Sequence, residues 1–308
     1  MDLDLQRTKT KGDKSNYFIF ELHSTSFDIN KECTIAPLLV NTEDRYGLVL
    51  FLDGLGTKGM SREKQNRIET VACYNSFLKI MQSSIDENKI WFRNKFEHMM
   101  KDLKFEISAF SDTVVITGSY DPVSRKIDKE NRDSALISIS GRVVAEILIV
   151  AMENGIYLRG CVSIGEFTKS LDPKHFIILG DPVNEAAGHY ESAEWMGVSA
   201  SPSVHKIITH AASSPFFHSK DWISHDLPLK NFIETSAWVI NWPTYFKHKE
   251  QSSRVVRLDL IKKRRELVWK KSQEASDLID AVKWRNTLQF FDRSVNTYVT
   301  AKGKQLVE

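Results

Sequence analysis

The sequence predicts an α+β fold of the ferredoxin-like (split βαβ) plan, and three observations carry this prediction. Residues 46–53 form a short apolar run that ends in a turn, as a buried central strand does. Residues 61–85 and 133–155 carry apolar side chains at helical spacing. Between them, residues 104–120 have the pattern of a β-hairpin with a polar bend. With a strand following the second helix, this order matches the split βαβ plan, in which helices cover one face of the sheet.

The remaining segments extend this plan. Residues 156–167 and 175–180 predict two more strands, and residues 181–197 predict a helix. We expect three parts, which are an N-terminal extension (1–44), a main domain (45–212) and a C-terminal α/β extension (213–308). The extension at the C-terminus is expected to pack on the main domain or on a partner subunit.

Composition excludes several classes of protein. Forty-two basic and forty acidic residues leave a net charge of +2, which argues against a nucleic-acid coat or a membrane-surface binder. The three cysteines, Cys33, Cys73 and Cys161, show no paired spacing, so we expect no disulfide framework and a cytoplasmic location. The most apolar stretch, residues 143–152, carries Glu146 and is shorter than the roughly 20 residues that span a membrane. We therefore expect neither a signal peptide nor a transmembrane helix.

Two aspartates are the candidate chemical groups. Asp53 closes the first strand, and Asp112 lies at the bend, Ser111-Asp112, of the hairpin that pairs beside that strand in this plan. Two carboxylates at adjacent strand ends suit magnesium or manganese, and the backbone amides of residues 54–58 can donate to phosphate oxygens. The alternative is that each aspartate is an ordinary turn former.

Four motifs resemble those of the class III nucleotidyl cyclases. Residues 51–57 (FLDGLGT) resemble the family's F-x-D-x-x-G-[FT], and residues 110–118 (FSDTVVITG) resemble its hairpin, with serine in place of glycine before the aspartate. Residues 158–165 (LRGCVSIG) match L-R-x-G-[IV]-x-x-G, and residues 180–188 (GDPVNEAAG) match G-x-x-V-N-x-A-A-R except at the last position. The resemblance covers about residues 45–210 and implies that the main domain is a cyclase catalytic domain.

The resemblance implies a set of catalytic residues. Asp53 and Asp112, with the carbonyl of Gly54, would hold two divalent cations, Mn²⁺ or Mg²⁺, and Asn184 would orient the ribose. The ions would activate the 3′-hydroxyl and neutralise the triphosphate for in-line attack on the α-phosphorus. The candidate substrate contacts are Phe51, Leu55, Gly56, Thr57, Ser108, Ile177, Asn184 and His189. Phe51 shares a strand face with Asp53, so its ring is expected against the ribose or base, with plain core packing as the alternative.

Three positions depart from the family pattern. The two positions that recognise the base in purine cyclases hold Ser108 and Ile177, so neither purine code is present. The arginine that stabilises the transition state is replaced by Gly188. This replacement implies either an inactive domain or a cation supplied elsewhere, for example by His189, by Lys58 or by a partner chain.

These departures favour one subgroup of the family. The sequence resembles the bacterial pyrimidine cyclases of the Pycsar anti-phage systems, which are homodimers with shared active sites that signal to a separate effector. This resemblance implies conversion of UTP, or less favourably CTP, to cyclic UMP or cyclic CMP, with no nucleic-acid or membrane partner. A purine cyclase and an inactive nucleotide-binding module are the alternatives. A two-metal nucleotidyltransferase acting on nucleic acid is disfavoured by the near-neutral charge.

Other features have simpler interpretations. The basic run 262–265 is expected to be a solvated helix face. The aromatic cluster of residues 238–246 is expected to be core or a subunit interface. Lys169 and Lys174 are expected in a loop after the fourth strand, where they could reach a triphosphate.

Overall fold

The structure is a computed structural model. The parts of the chain that it describes are residues 42–55, 64–95, 103–110, 112–120, 128–171, 177–211, 214, 217–230, 234–246, 254–275 and 277–301. The predictions for Gly56, Thr57, Lys58 and Lys174, and for nearly all of the N-terminal extension, fall outside these residues.

In the part of the chain that the structure describes, eight strands form one mixed sheet. They are β1 (Thr42–Gly54), β2 (Lys104–Phe110), β3 (Thr113–Tyr120), β4 (Leu158–Ser170), β5 (Ile178–Leu179), β6 (Gly197–Ala200), β7 (Trp222–Pro228) and β8 (Glu234–Ile240). Their order is β2-β3-β1-β4-β6-β8-β7, and β5 pairs with β4. Because β1 lies antiparallel between β3 and β4, the first four strands have the split βαβ order, and the predicted α+β fold class is confirmed.

Within the described residues, six helices pack around this sheet. They are α1 (Lys64–Lys95), α2 (Lys129–Glu153), α3 (Asp181–His189), α4 (Pro202–His210), α5 (Arg254–Glu274) and α6 (Leu278–Ala301). The predicted helix 181–197 is too long, because the chain leaves helical geometry after His189. The following segment is held elsewhere, since Ala193 bridges to Leu229 and the amide of Met196 bonds to Thr287. These contacts between distant parts of the chain override the local helical pattern.

Alternation along β1 defines the two faces of the sheet. Leu48, Leu50 and Leu52 are fully buried with the side chains of α1 and α2. Val49, Phe51 and Asp53 point to the opposite side, which we call the site face. There, α3 packs Val183 and Ala186 against Val49. Helices thus cover part of both faces, whereas the sequence predicted cover on one face only.

Helix α1 buries less than its sequence pattern predicts. Phe77 and Met81 are buried, but Ile68, Val71 and Ala72 at the beginning of the apolar pattern are exposed. Helical spacing of apolar residues therefore does not by itself identify the buried face of α1.

Helix α2 is the central helix of the core. By length and composition it is the one helix of the described residues that could cross a membrane, but 89% of its most apolar window is buried inside the fold. Asp128 caps its first turn by accepting a hydrogen bond of 2.9 Å from the amide of Asn131. Its apolar character is that of a core helix.

A buried polar network joins α2 to the chain that follows β8. Glu146 accepts hydrogen bonds from Asn88 at 3.0 Å, from the hydroxyl of Tyr245 at 2.9 Å and from Ser84 at 3.2 Å. A buried carboxylate needs such partners. Residues of the predicted extension therefore share the core of the main domain, and β7 and β8 extend its sheet.

The basic run 262–265 is not wholly a solvated face. Arg264 is buried and donates to the backbone carbonyls of Pro243 and Tyr245. These carbonyls lie within and directly after a single 3₁₀ turn and require donors inside the core, which explains why the guanidinium is buried. The aromatic cluster nearby, including the fully buried Trp242, is core packing.

Gly160 on β4 provides a test of the strand packing around Asp53. An added Cβ at this position would clash with the backbone carbonyl oxygen of Phe51, whereas an added Cβ at Gly188 would have no neighbour within 4 Å. We expect Gly160→Ala to lower the free energy of unfolding by about 2 kcal/mol or more. The matched variant Gly188→Ala, at an exposed helical position, should be neutral or slightly stabilising. Urea unfolding measures both, and equal stabilities would contradict the packing.

His225 on β7 provides a pH-dependent test of the core. It is buried between Trp195 and Phe290, and burial, with the positive charge of Arg293, lowers its pKa to about 4. Burial disfavours protonation of this ring in the folded protein, so its contribution to the free energy of unfolding should be fully present above pH 6.5. The free energy of unfolding should fall by up to about 3 kcal/mol as the pH falls toward 4. His225→Leu should flatten that part of the stability curve, while the exposed His205→Leu should not.

Candidate functional site

The site begins at Asp53, where β1 meets its two neighbours. In the strand register Asp53 lies opposite Thr113 on β3 and Arg159 on β4. Only 8% of the residue is exposed. A carboxylate at this depth needs a compensating charge or hydrogen bonds.

Arg159 supplies that charge. Its Nε and Nη2 donate to Oδ2 of Asp53 at 3.1 and 2.9 Å, and both side chains are almost wholly buried. Its Nη1 also donates to the backbone carbonyl of Glu191 at 3.4 Å. In the sequence, Arg159 is recognisable only as a member of the 158–165 motif, and no role was predicted for it. The pairing of β1 with β4 would have predicted this contact only if the register had been known.

The titration of Asp53 reflects this setting. Burial raises the pKa of Asp53 above its ordinary value, Arg159 acts in the opposite direction, and the charges of Asp112 and Glu191 raise it further. A desolvated carboxylate with negative neighbours favours an additional cation.

Asp112 lies at the neighbouring strand end. It is half-buried in the turn between β2 and β3, and its backbone carbonyl accepts a hydrogen bond of 3.1 Å from the amide of Gly54. This bond ties the end of β1 to the hairpin bend. The structure thus brings Asp53 and Asp112 to adjacent strand ends, and the electrostatic influence of Asp112 on Asp53 agrees with their proximity.

The donor set at these strand ends fits a hard divalent cation. It consists of two carboxylates with the carbonyl of Gly54. Within the described parts of the chain, no three or more His, Cys, Asp or Glu side chains come together. A cation here would complete its shell with water or ligand oxygens, as Mg²⁺ and Mn²⁺ commonly do. The assignment of Asp53, Gly54 and Asp112 as metal ligands stays a prediction.

Helix α3 carries the next group of candidate residues. Asn184, Gly188 and His189 are all exposed on it. Because an added Cβ at Gly188 meets nothing within 4 Å, there is space for a larger side chain at this position. Packing therefore does not explain why arginine is absent there.

Glu185 anchors α3 to the sheet and was not found by sequence reasoning. Its carboxylate accepts bonds from the hydroxyls of Ser201 at 2.9 Å, Ser203 at 2.6 Å and Ser163, and from the amide of Ser203 at 3.0 Å. Burial works to raise the pKa of Glu185, but these hydrogen bonds outweigh it and the pKa is lowered. The ionised carboxylate therefore fixes the helix that presents Asn184.

The predicted contacts beside Asp53 are only partly buried. The ring of Phe51 lies 5.9 Å from that of Tyr190, which directly follows α3. Leu55 is half-buried, and its amide donates to the carbonyl of Tyr157 at 2.7 Å. Phe51 thus has one aromatic neighbour and retains accessible surface on the site face.

The two predicted base-recognition positions lie on different segments of the chain. Ser108 is half-buried on β2, and Ile177, 48% exposed, immediately precedes β5. An ion pair between Glu106 and Lys169 links β2 to the end of β4, which pairs with β5. Lys169 was expected in a loop, and that expectation is wrong, because β4 continues to Ser170.

Removal of the Asp53 carboxylate tests the buried pair. Asp53→Ala would leave Arg159 without its partner charge, so we expect the free energy of unfolding to fall by about 3 kcal/mol. Asp53→Asn keeps a hydrogen-bond acceptor and should cost less, and Asp112→Ala, at a half-buried turn, should have a small effect. An Asp53→Ala protein with the wild-type urea midpoint would contradict the ion pair.

Comparisons with known proteins give structural likeness only. No protein-family model matches the sequence, and the curated proteins contain no match. The chain is similar to the catalytic core of a rhodopsin-guanylyl cyclase with converted specificity in complex with ATPαS (11% identity, TM-score 0.41, 65% of this chain and 97% of that chain).

Two further solved structures show similar values. One is a bacterial light-regulated adenylyl cyclase (16% identity, TM-score 0.39, 73% of this chain and 60% of that chain). The other is the non-canonical dimeric guanylyl cyclase domain of the RhoGC fusion protein from the aquatic fungus Blastocladiella emersonii (12% identity, TM-score 0.36, 64% of this chain and 97% of that chain).

Proposed function

We propose that this protein is a nucleotidyl cyclase, which converts a nucleoside triphosphate into a 3′,5′-cyclic nucleotide and diphosphate. The observation that carries the proposal is the placement of Asp53 and Asp112 at adjacent strand ends, tied by the bond from the amide of Gly54 to the carbonyl of Asp112. The described parts of the four motifs that resemble class III cyclases lie on β1, on the hairpin of β2 and β3, on β4 and on α3, and this supports the proposal.

The chain's own residues have distinct parts in this reaction. Asp53, Asp112 and the carbonyl of Gly54 would hold two divalent cations, Mn²⁺ or Mg²⁺. Such ions, when bound, favour ionisation of the 3′-hydroxyl and neutralise the triphosphate. Arg159 orients Asp53 through two hydrogen bonds and keeps a fixed positive charge beside it. Its charge-assisted bonds limit rotation of the carboxylate, so the metal-facing geometry is set before substrate binds.

Asn184 is proposed to orient the ribose. It is exposed on α3, whose position is fixed by Glu185 and three serines. A short helix held by a partly buried network of hydrogen bonds can present a side chain with little freedom, which is what alignment of the 3′-hydroxyl with the α-phosphorus needs. Asn184→Ala should therefore reduce turnover more than it reduces stability.

A second copy of the chain is proposed to complete the site. Gly188 provides no cation for the pentavalent transition state, and Arg159 is already engaged with Asp53. His189 is exposed next to Gly188 and could act on its own site or across a dimer. We therefore infer a homodimer with shared active sites.

The base is proposed to be a pyrimidine, with UTP favoured over CTP. Ser108 is a small hydroxyl residue, and Ile177 is an exposed apolar residue, so these positions lack the charged or polar groups of the purine code. The biological role that follows is that of a Pycsar-type cyclase in the bacterial cytoplasm, whose cyclic UMP activates a separate anti-phage effector. A purine cyclase is the alternative with the same catalytic chemistry.

A nucleotide-binding module without turnover is the second candidate. Two observations favour it, since Gly188 leaves the transition-state position without a cation and Arg159 occupies one oxygen of Asp53. Two carboxylates at one strand edge argue for catalysis, because a module that only binds nucleotide needs no such pair.

Turnover assays separate these functions. Purified protein with Mn²⁺ should convert UTP to cyclic UMP and diphosphate, identified by mass, faster than it converts CTP, ATP or GTP. Asp53→Asn and Asp112→Asn should each lower the rate at least about 100-fold, while Asp292→Asn on α6 should not. Absence of cyclic product from all four nucleotides over a range of protein concentrations would refute the cyclase, and a cyclic purine as main product would refute the pyrimidine assignment.

A further inference from the structure

Two hydrogen bonds fix how helix α1 lies against helix α2. Ser84 of α1 donates to Glu146 of α2 at 3.2 Å. Asn88, one turn later on α1, accepts a hydrogen bond of 3.0 Å from Arg142, which is one turn earlier on α2. Because the residue numbers increase along one helix as they decrease along the other, the two helices run antiparallel.

The first part of α1 extends beyond the end of α2. Glu153, the last residue of α2, is seven residues after Glu146. The same distance along α1, seven residues before Ser84, ends at Phe77. Residues 64–76 of α1 therefore continue past the end of α2 for about 20 Å, at 1.5 Å per residue. We call residues 64–76 the α1 overhang.

The burial of α1 agrees with this geometry. Phe77 is only 1% exposed and is the first buried side chain among those that the structure describes on α1. Every described side chain of the α1 overhang is exposed, and these are Ile68, Glu69, Val71, Ala72, Asn75 and Ser76. The helix thus enters the core at the point where α2 ends.

The α1 overhang projects at the end of the molecule that carries the candidate site. The amide of Leu55 donates to the carbonyl of Tyr157 at 2.7 Å, which ties the end of β1 to the segment that directly follows α2. The end of α2 and the strand end with Asp53 and Asp112 therefore lie at the same end of the fold. The α1 overhang extends past that end.

The α1 overhang presents an apolar face. Ile68 is 56% exposed, Val71 is 60% exposed, and Ala72 is also exposed. Residues three and four positions apart share one face of a helix, so these side chains are neighbours. Single exposed apolar side chains are common on protein surfaces. Three on one face of a three-turn segment are different, because so short a helix gains most of its stability from packing that face on another surface.

We propose that the α1 overhang is the surface on which a second copy of this chain docks. This inference rests on the proposed function, in which a second copy supplies the cation that Gly188 does not provide and that Arg159, engaged with Asp53, cannot supply. A copy packed on Ile68 and Val71 would stand at the strand ends where that cation is needed. A different partner protein would cover the apolar face but would leave the site incomplete.

Variants of exposed residues on α1 test this assignment. Ile68→Glu and Val71→Glu each place a carboxylate on the apolar face, whereas Val71→Leu keeps it apolar. Ile90→Glu is the matched control, because Ile90 is 54% exposed on the same helix, roughly 30 Å from the α1 overhang. The dimer dissociation constant of the full chain is measured by sedimentation equilibrium. Urea unfolding below that constant and turnover over a range of protein concentrations are measured in parallel.

We expect a loss of dimerisation without a loss of stability. Ile68→Glu and Val71→Glu should each raise the dimer dissociation constant at least about tenfold, because a carboxylate in an apolar contact loses its hydration. Val71→Leu and Ile90→Glu should match the wild type. The urea midpoint of the monomer should not change, since both side chains are exposed in the single chain. Turnover per chain should fall at low protein concentration and recover once the concentration exceeds the raised constant.

Three results would overturn the inference. The first is wild-type protein that stays monomeric at every concentration, which would assign the apolar face to another occupant. The second is a dimer whose dissociation constant is unchanged by both glutamate variants. The third is a lower urea midpoint of the monomer in both glutamate variants, which would show that the chain itself covers this face.

The same measurements separate failure of this inference from failure of the proposed function. A wild-type dimer that both glutamate variants weaken, with no cyclic product from any of the four nucleotides, supports the docking surface and refutes the cyclase. A wild-type monomer that makes cyclic product, at a rate per chain that does not depend on protein concentration, refutes the docking surface and leaves the cyclase.

Discussion

The buried ion pair of Asp53 and Arg159 is the interaction on which the candidate site depends. A carboxylate at the end of a central apolar strand costs free energy unless a cation meets it. The register of β1 with β4 places Arg159 directly opposite, and Gly160 leaves room for the neighbouring backbone of Phe51. The Asp53 carboxylate is thereby held at the edge of the sheet where Asp112 also lies. The same ion pair thus stabilises the fold and positions a proposed metal ligand.

The rest of the molecule fixes the surroundings of this pair. On one face, α1 and α2 bury the leucines of β1 and make the sheet rigid. On the site face, α3 is held by the hydrogen bonds of Glu185, and the bent end of β4 reaches β2 through Lys169. The C-terminal part adds two strands and two helices that share the core, with Glu146 and Arg264 satisfying buried polar groups at the junction. Between Asp53 and the buried Val49, Phe51 remains partly exposed on the site face, next to Tyr190.

Sequence reasoning succeeded where local pattern decides the structure. The apolar run before Asp53, the hairpin around Asp112 and the apolar helix α2 each carry their own signal, so the order of the first six elements and the fold class could be predicted. The length of α3 and the strand β6 could not, because contacts of Ala193 and Met196 with distant residues fix them. Arg159, Glu185 and the Glu106–Lys169 pair were missed for the same reason, since each depends on strand register or curvature. Exposed Ile68 and Val71 show that helical periodicity does not by itself identify the buried face.

The candidate ligands Asp53, Gly54 and Asp112 also predict how binding of a metal ion and binding of a nucleotide depend on each other. A site of two carboxylates and a backbone carbonyl is incomplete until ligand oxygens join it, so metal and nucleotide should bind together. If metal binding depends on nucleotide in this way, the protein would bind the metal only weakly without nucleotide, whether it is a cyclase or a binding module.

The central claim is that Asp53 and Asp112 together hold the divalent cations. It is tested most directly by titrating Mn²⁺ into the protein with saturating inorganic triphosphate and following the electron paramagnetic resonance signal of the free ion. The account predicts that the wild-type protein removes Mn²⁺ from solution, and that Asp53→Asn and Asp112→Asn each abolish this tight binding while the proteins remain folded. Equal Mn²⁺ binding by the wild type and either variant would contradict the claim.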